Sequence, residues 1–241
     1  MRVGFFPGCL FEYIYTDIGK AIIEVLIKND IEVVLPKKLE CCGIAAFTSG
    51  DENTAKNLAM NNVKTFLSYD LDTIITGCAS CGSALKNDYR MLLADTGIEI
   101  EKFSSKVKDI SEFLIESVQY EKKIISDLKS KVTYHDPCHL GRKQKVIAEP
   151  RKILKSINKL DFIEMTGAKD CCGGGGSFSL YNYEIAGKIR KRKIEHIEET
   201  GAEYIATSCP GCIMHISDGL AQKNSKVKIV HIMELLNKVT K

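Results

Sequence analysis

The ten cysteines of this 241-residue sequence fall into two copies of one pattern. A single cysteine is followed, after 31 or 32 intervening residues, by an adjacent cysteine pair and a glycine, and 35 or 36 residues separate the pair from a C-x-x-C motif. Two neighbouring thiolates that leave one tight glycine turn suit a site with several iron atoms. The first copy is Cys9, Cys41, Cys42, Cys78 and Cys81. The second copy, 129 to 131 residues further on, is Cys138, Cys171, Cys172, Cys209 and Cys212.

Five thiolates in each copy are one more than a common metal site uses. Structural zinc and most [4Fe–4S] centres take four ligands, so a fivefold set repeated twice favours an unusual iron–sulfur arrangement. Zinc in at least one half, with the fifth cysteine spare, is an alternative. A thioredoxin-like dithiol at either C-x-x-C is weaker, because three more cysteines accompany each motif.

Composition is typical of an ordinary globular protein, with 44% hydrophobic and 27% charged residues. No apolar run approaches the length of a membrane span, and the sequence opens on a strand-like stretch without a secretory leader. We therefore expect a cytoplasmic protein, where reducing conditions favour metal ligation over disulfides. Net charge is +3 with both signs interspersed, so nothing indicates nucleic acid. The basic clusters Arg142-Lys143 and 190–193 are interpreted as solvated faces or docking surface.

Short apolar stretches alternate with helical patterns in the same order in both parts of the chain. A polar segment, 119–130, is interpreted as their connection, which predicts one repeat at 1–125 and another at 126–241. The predicted strands are 3–6, 31–35, 73–76, 106–108, 131–135, 161–165, 203–206 and 227–230. The predicted helices are 18–27, 51–68, a stretch continuing past Leu85, 111–118, 183–200 and a last helix from Ile232.

This alternation predicts an α/β fold with two pseudo-symmetric Rossmann-like halves, each built on a parallel sheet. Ligands of such sheets gather beyond the carboxyl ends of the strands, and every cysteine follows a predicted strand. Both C-x-x-C motifs also begin helices, where free N–H groups and the positive end of the dipole stabilise thiolates. Phe5, Phe6, Phe66 and Phe178 are candidates for the core.

The repeated cysteine pattern resembles the tandem cysteine-rich CCG domains of the heterodisulfide reductase B-subunit superfamily. That superfamily includes the iron–sulfur subunits of glycolate oxidase and of lactate-utilisation complexes, and anaerobic glycerol-3-phosphate dehydrogenase. The resemblance covers nearly the whole chain. The segments GSALK (82–86), YHDPCHL (134–140) and CPGCIM (209–214) are similar to the glycolate-oxidase type in particular.

The resemblance implies that each five-cysteine set holds a noncubane [4Fe–4S] cluster made of two smaller clusters that share an iron. Relatives often lack ligands in one half, so two complete sets here imply two clusters, with zinc in one half as the alternative. The pair is expected to face each other across the pseudo-twofold interface.

Other motifs in the sequence are weaker. No C-x2-C-x2-C-x3-C-P run of a ferredoxin-like segment occurs in these residues, so cubane relays are expected on a partner chain. The run Gly173–Gly176 follows a cysteine pair and is interpreted as backbone close to cluster sulfurs rather than as a dinucleotide loop. His135 and His139 flank Cys138, and either is a candidate to donate a hydrogen bond to a cluster sulfur, or a capping or surface histidine. No catalytic residue is assigned.

The leading hypothesis is an iron–sulfur electron-transfer subunit of a multi-subunit oxidoreductase, beside a flavin-dependent 2-hydroxy-acid dehydrogenase for glycolate or lactate. A catalytic B subunit similar to that of heterodisulfide reductase, which cleaves a disulfide at its clusters, is the second. A zinc-stabilised scaffold is the third. The expected partners are a flavoprotein dehydrogenase subunit, a ferredoxin-type iron–sulfur subunit, or both, with membrane association only through those partners.

Overall fold

Eight strands form two four-stranded, all-parallel sheets in the computed structural model, which describes residues 1–241. The strand order is β2-β1-β3-β4 in the first sheet and β6-β5-β7-β8 in the second, so the two sheets have the same topology. The strands are β1 (Arg2–Phe5), β2 (Glu32–Val34), β3 (Thr73–Thr76), β4 (Val107–Asp109), β5 (Ser130–Tyr134), β6 (Leu160–Phe162), β7 (Tyr204–Thr207) and β8 (Lys228–His231).

Thirteen α-helices connect and cover the strands. Short π-helical stretches continue the chain at Ala84–Asp88 and His139–Gln144. None of the helices is both long and apolar enough to cross a bilayer. The helices are α1 (Gly8–Tyr13), α2 (Thr16–Lys28), α3 (Ile44–Thr48), α4 (Glu52–Leu67), α5 (Ala79–Ser83), α6 (Tyr89–Leu92), α7 (Ile100–Ser104), α8 (Ile110–Ser117), α9 (Ala148–Ser156), α10 (Phe178–Tyr181), α11 (Tyr183–Glu199), α12 (Pro210–Gln222) and α13 (Ile232–Val239).

The central strands β1, β3, β5 and β7 end in consecutive buried residues rather than in an alternating pattern. Helices cover both faces of a parallel sheet, so a central strand buries side chains on both sides. The expected α/β fold with two similar, parallel-sheet halves is confirmed. The two sheets also have the same strand register. Val3 of β1 pairs with Thr73 of β3, and the equivalent Val132 of β5 pairs with Tyr204 of β7.

The connection between the halves is a single 3-10 turn at Tyr120–Lys123 followed by extended chain. The Ile125 N–H donates to the Val239 carbonyl at 2.8 Å, and Ile124 forms an antiparallel bridge with Thr240. The connection therefore lies against the end of the second half. The boundary at 125/126 stays a prediction.

The last helix of each half packs on a helix of the other half. The last helix of the first half, α8, packs on α9 of the second, and the last helix of the second half, α13, packs on α2 of the first. Lys28 Nζ strengthens the second contact by donating to the carbonyl and side-chain oxygens of Asn237 at 2.9 and 2.7 Å. One continuous cluster of buried apolar side chains runs through both halves.

Two interpretations of side-chain position were wrong. Phe178 is 39% exposed rather than part of the core, because it begins the short surface helix α10. The basic cluster at 190–193 is not a solvated face throughout: Arg190 and Lys193 are 3% and 1% exposed. These two residues are three apart and therefore share the inner face of α11, while Lys191 and Arg192 point outward.

Asp109 is a buried N-cap whose environment favours its neutral form. Its Oδ1 accepts from the Ser111 N–H at 2.8 Å and caps α8, whereas its Oδ2 is buried without a partner. Burial is the main cause that raises its pKa to about 7. The contribution of this group to stability is therefore fully present below about pH 4 and is lost as pH rises through about 7.

We expect Asp109→Asn to keep the cap but remove this pH dependence. Relative to the natural protein, the variant should gain up to about 4 kcal/mol of unfolding free energy between pH 4 and 8. Anaerobic denaturant titrations at several pH values measure the difference. Asp51→Asn at the exposed N-cap of α4 is the matched control, since that carboxylate has a lowered pKa. An equal difference for Asp109→Asn at pH 4 and pH 8 would refute the assignment.

Candidate metal centres

In the first half, three loops at the carboxyl edge of the sheet bring five thiols together. Cys9 lies on α1 just after β1, the pair precedes α3, and the C-x-x-C begins α5 after β3. Gly8 has a φ of +68°, and a Cβ at this position would lie 2.7 Å from Cys81 Sγ. Glycine is therefore required beside Cys9 for the chain to pass so close to a cysteine of another loop.

The five sulfurs of the first half form a continuous chain of neighbours. The Sγ atoms of Cys9 and Cys41 are 3.9 Å apart. Cys41 contacts Cys42, Cys42 contacts Cys81, and Cys81 contacts Cys78 as thiol neighbours. All five residues that the sequence predicted are brought into one site.

The second half repeats this arrangement at the same places in its fold. Cys138 follows β5, Cys209 is the N-cap residue of α12, and the Gly173 N–H donates to Cys171 Sγ at 3.3 Å. Gly173 has a φ of +91°, and a Cβ there would lie 2.6 Å from the carbonyl oxygen of Ala186. The sulfurs are neighbours in the same order: Cys138, Cys171, Cys172, Cys212 and Cys209.

The two sets meet where the two C-x-x-C motifs face each other. The thiols of Cys78 and Cys209 are neighbours, and the Ala79 N–H donates to the Ser208 carbonyl at 3.0 Å. The symmetry-equivalent bond, from residue 210 to the Gly77 carbonyl, cannot form because Pro210 has no N–H. The Gly77 carbonyl is instead 2.9 Å from Nε2 of the buried His231. The ten cysteines thus form one connected group across the interface.

Exposure differs systematically within each set. Cys9 is exposed, Cys41, Cys138 and Cys171 are half-buried, and the other six cysteines are buried. All ten are free thiols. One edge of each set therefore reaches the protein surface, while the C-x-x-C ends lie at the interface of the halves.

The environment favours one thiolate in each cysteine pair. Hydrogen bonds from Cys42, Cys9 and the Gly43 backbone lower the pKa of Cys41 to about 2. The neighbouring Cys41 thiolate and burial raise the pKa of Cys42 to about 12. In the second half the pKa of Cys171 is lowered by its thiol neighbours Cys138 and Cys172, and that of Cys172 is raised to about 12.

This donor set fits a multi-metal, iron–sulfur type of group. Adjacent buried thiols oppose one another's ionisation, as the raised pKa values of Cys78, Cys81 and Cys212 show. A bound cationic group is needed to hold them all as thiolates. Soft sulfur donors without carboxylates favour iron–sulfur clusters or zinc over magnesium or calcium.

His135 also belongs to this site, and sequence alone did not separate it from His139. Its ring is 1% exposed, and neither ring nitrogen has a hydrogen-bond partner. One of its nitrogens and the sulfurs of Cys172 and Cys212 lie within 4.8 Å of one another. Burial lowers its pKa to about 3, so the ring is neutral. His139, by contrast, places Nδ1 2.9 Å from the Ser80 hydroxyl.

A cationic cleft of about 400 Å³ opens beside Cys171. Asp170 is the one acidic side chain among its lining residues, and it pairs with Arg192 at 3.3 Å. Both basic clusters noted in the sequence, Arg142-Lys143 and 190–193, contribute residues to this cleft, but the sequence does not show that these two separate segments meet. The cleft is lined by Arg142, Asp170, Cys171, Lys188, Ile189, Arg192, Lys193 and His196.

Comparisons with known proteins find relatives that match nearly the whole chain. The chain is 40% identical to the B subunit of the fumarate reductase (CoM/CoB) of Methanothermobacter marburgensis, over 98% of this chain and 46% of that protein. It is 33% identical to Lactate utilization protein A of a Geobacillus species, over 98% of this chain and 99% of that one. The chain thus spans about half the length of the first of these relatives and nearly all of the second.

A solved structure supports the fold. The crystal structure of a hypothetical protein from Helicobacter pylori matches 99% of this chain and 48% of its own, with a TM-score of 0.69 and 8% identity. The sequence model of the CCG cysteine-rich domain matches twice, at residues 3–86 and 132–217. Each match ends a few residues beyond the C-x-x-C of its half. The chain therefore belongs to the CCG cysteine-rich domain family and contains two repeats of that domain.

Proposed function

We propose that this chain is an iron–sulfur subunit of a multi-subunit oxidoreductase. The observation that supports this most is the gathering of two complete five-cysteine sets into one connected group of ten sulfurs. Relatives named as iron–sulfur subunits or reductase subunits support the same class. Ten free thiols also favour a reducing compartment, so we place the protein in the cytoplasm.

In this proposal, the ten cysteines bind two clusters of four irons each, of the noncubane type. The first is held by Cys9, Cys41, Cys42, Cys78 and Cys81, and the second by Cys138, Cys171, Cys172, Cys209 and Cys212. Bound clusters of this kind supply one-electron transfer. The residues of the chain exclude water from the inner sulfurs and leave Cys9, Cys41, Cys138 and Cys171 near the surface, where a partner can approach.

The electron donor that we propose is a flavin-dependent dehydrogenase for a 2-hydroxy acid such as glycolate or lactate. Similarity to Lactate utilization protein A over its whole length supports this choice. A ferredoxin-type iron–sulfur subunit is the proposed second partner, because Cys9, Cys41, Cys138 and Cys171 lie near the surface, where an electron carrier can approach.

The first experiment is anaerobic purification with its associated subunits, followed by iron, sulfide and zinc analysis. We expect about eight irons and a similar amount of sulfide per chain. Lactate or glycolate should then bleach the visible absorbance of the complex and generate an EPR signal. Zinc without iron would overturn the proposal, and it would favour the scaffold hypothesis with His135, Cys172 and Cys212 as the zinc ligands.

A catalytic B subunit similar to that of heterodisulfide reductase is the second candidate. The presence of both complete sets and the similarity to a reductase subunit named for CoM and CoB favour it. The dithionite-reduced protein, freed of excess reductant, should be oxidised by an organic disulfide if this candidate is correct. Reoxidation by a flavoprotein or quinone acceptor but by no disulfide would leave only the electron-transfer function.

A further inference from the structure

The two halves can be compared residue by residue, because their backbones make the same bonds. The Phe6 N–H donates to the Ile75 carbonyl at 2.8 Å, and the His135 N–H donates to the Ala206 carbonyl at 2.9 Å. Residue His135 therefore occupies in the second half the place of Phe6 in the first. This equivalence allows the charge and polarity around the two sulfur sites to be compared position by position.

The first difference is the histidine itself. Phe6 is completely buried and offers only a hydrocarbon ring to the first set of sulfurs. His135 offers an N–H and a lone pair, both without a partner, near Cys172 and Cys212. A buried N–H without an acceptor is costly, and the thiolate sulfurs are the acceptors within reach. One ring nitrogen of His135 lies within 4.8 Å of the Cys172 and Cys212 sulfurs, which places a potential hydrogen-bond donor beside the second sulfur site.

The second difference is a buried positive charge. Gly43 packs on Leu58 in the first half and Gly173 packs on Ile189 in the second, which aligns Lys193 of α11 with Asn62 of α4. Asn62 donates to the carbonyl of Cys41 in the first cysteine pair at 3.1 Å, whereas Lys193 donates to the Gly167 carbonyl in the loop before the second pair at 2.5 Å. Asn62 is neutral, so only the second half has a positively charged residue at this position, and Lys193 is 1% exposed.

The third difference is the cationic cleft. By the same alignment, Lys188 and Arg192 of the cleft correspond to Asn57 and Asn61 in the first half. The acidic residue before the pair does not differ in charge, since Asp170 corresponds to Glu40. The net effect is more positive charge and one more hydrogen-bond donor around the second set of thiolates.

We propose that His135 and Lys193 make the second-half site easier to reduce than the first, so that a single added electron resides in the second half. This proposal rests on the proposed function. Hydrogen bonds to sulfur and nearby positive charge stabilise the reduced state of a cluster, which carries one more negative charge. A reduced flavin or a low-potential iron–sulfur donor supplies the electron, and no proton transfer to the metal site is required.

The higher reduction potential of the second site sets the direction of electron transfer through the chain. Electrons that enter through the first half move to the second across the Cys78–Cys209 junction, and the acceptor is expected at the cleft beside Cys171. The positive lining of this cleft suits an acceptor with negative charge, because opposite charges steer its approach.

An EPR-monitored redox titration of the anaerobic, iron-loaded protein tests the proposal. We expect two separate reduction steps, and we expect His135→Phe and Lys193→Asn each to lower the midpoint of the higher step only. His135→Gln, which keeps an N–H donor, should recover part of the shift. Lys191→Asn removes an equal charge from the exposed face of α11 and should move neither step.

A Cys172→Ser chain that retains only the first cluster identifies the lower step. Iron and sulfide analysis of each variant confirms that both sites are filled before their midpoints are compared. A single two-centre step in the natural protein, or a shift of the lower step by His135→Phe, would overturn the proposal. A protein without iron would instead refute the proposed function, so the two failures are distinguishable.

Discussion

Replacing Cys172 by Ser is expected to remove about half of the iron, or about four of about eight atoms per chain. Cys172 lies in the middle of the second sulfur chain, next to both Cys171 and Cys212, and it is 2% exposed. A serine hydroxyl is a poor substitute for a thiolate as an iron ligand, since iron–sulfur clusters select soft donors. The first set of cysteines is unchanged and should still bind its own cluster.

Cys42→Ser is the matched variant in the first half, and it should remove the other half of the iron. The double variant should bind none, while circular dichroism reports whether the sheets remain. If Cys172→Ser lost all of its iron, the two sets would form one indivisible site across the Cys78–Cys209 junction. If it lost no iron, Cys172 would not be a ligand.

Replacing Arg151 by Met is expected to lower the free energy of unfolding by about 3–5 kcal/mol. The Arg151 guanidinium donates to both carboxylate oxygens of Asp136 at 2.8 and 2.7 Å, and it also pairs with Glu164. The Asp136 side chain is only 5% exposed, so the variant leaves a carboxylate buried without its cation. The loop from Asp136 to Cys138 should then lose its position, and iron should be lost from the second set before the first.

Denaturant titration under anaerobic conditions measures this effect. Asp136→Asn in the Arg151→Met background removes the stranded charge and should restore much of the stability. Lys20→Met breaks the exposed ion pair with Asp17 and should change stability by less than about 1 kcal/mol. An equal loss from Arg151→Met and Lys20→Met would show that the buried pair does not fix the loop.

The convergence of the cysteines could be predicted because the cysteine spacing and the strand pattern both place them in the segments that follow the strands. Each thiol follows a strand, and parallel strands end at one edge of their sheet, so convergence follows from topology. The strand Thr73–Thr76 and the helix that begins at Tyr183 were also predicted with their observed starts. Local pattern and overall fold agree in these segments.

Other features depend on contacts that no local pattern encodes. Helix α9 was not predicted, because Ile153 and Leu154 are nearly its only apolar core residues and charged residues surround them. The π-helical stretches after Cys81 and Cys138 also leave no periodic signal. The burial of Lys193 could not be inferred from a run of four basic residues, since it depends on the carbonyl of Gly167.

The packing of α8 and α13 on the opposite half affects folding during synthesis. The α2–α13 contact joins residues 209 positions apart, so the part of α2 that α13 covers stays exposed until most of the chain has left the ribosome, although α1 and β2 of the same half already pack on α2. The first repeat can form its sheet early, but it cannot complete its outer surface alone. Synthesis therefore leaves a long interval in which nascent chains are open to aggregation and to exchange of α13 between molecules.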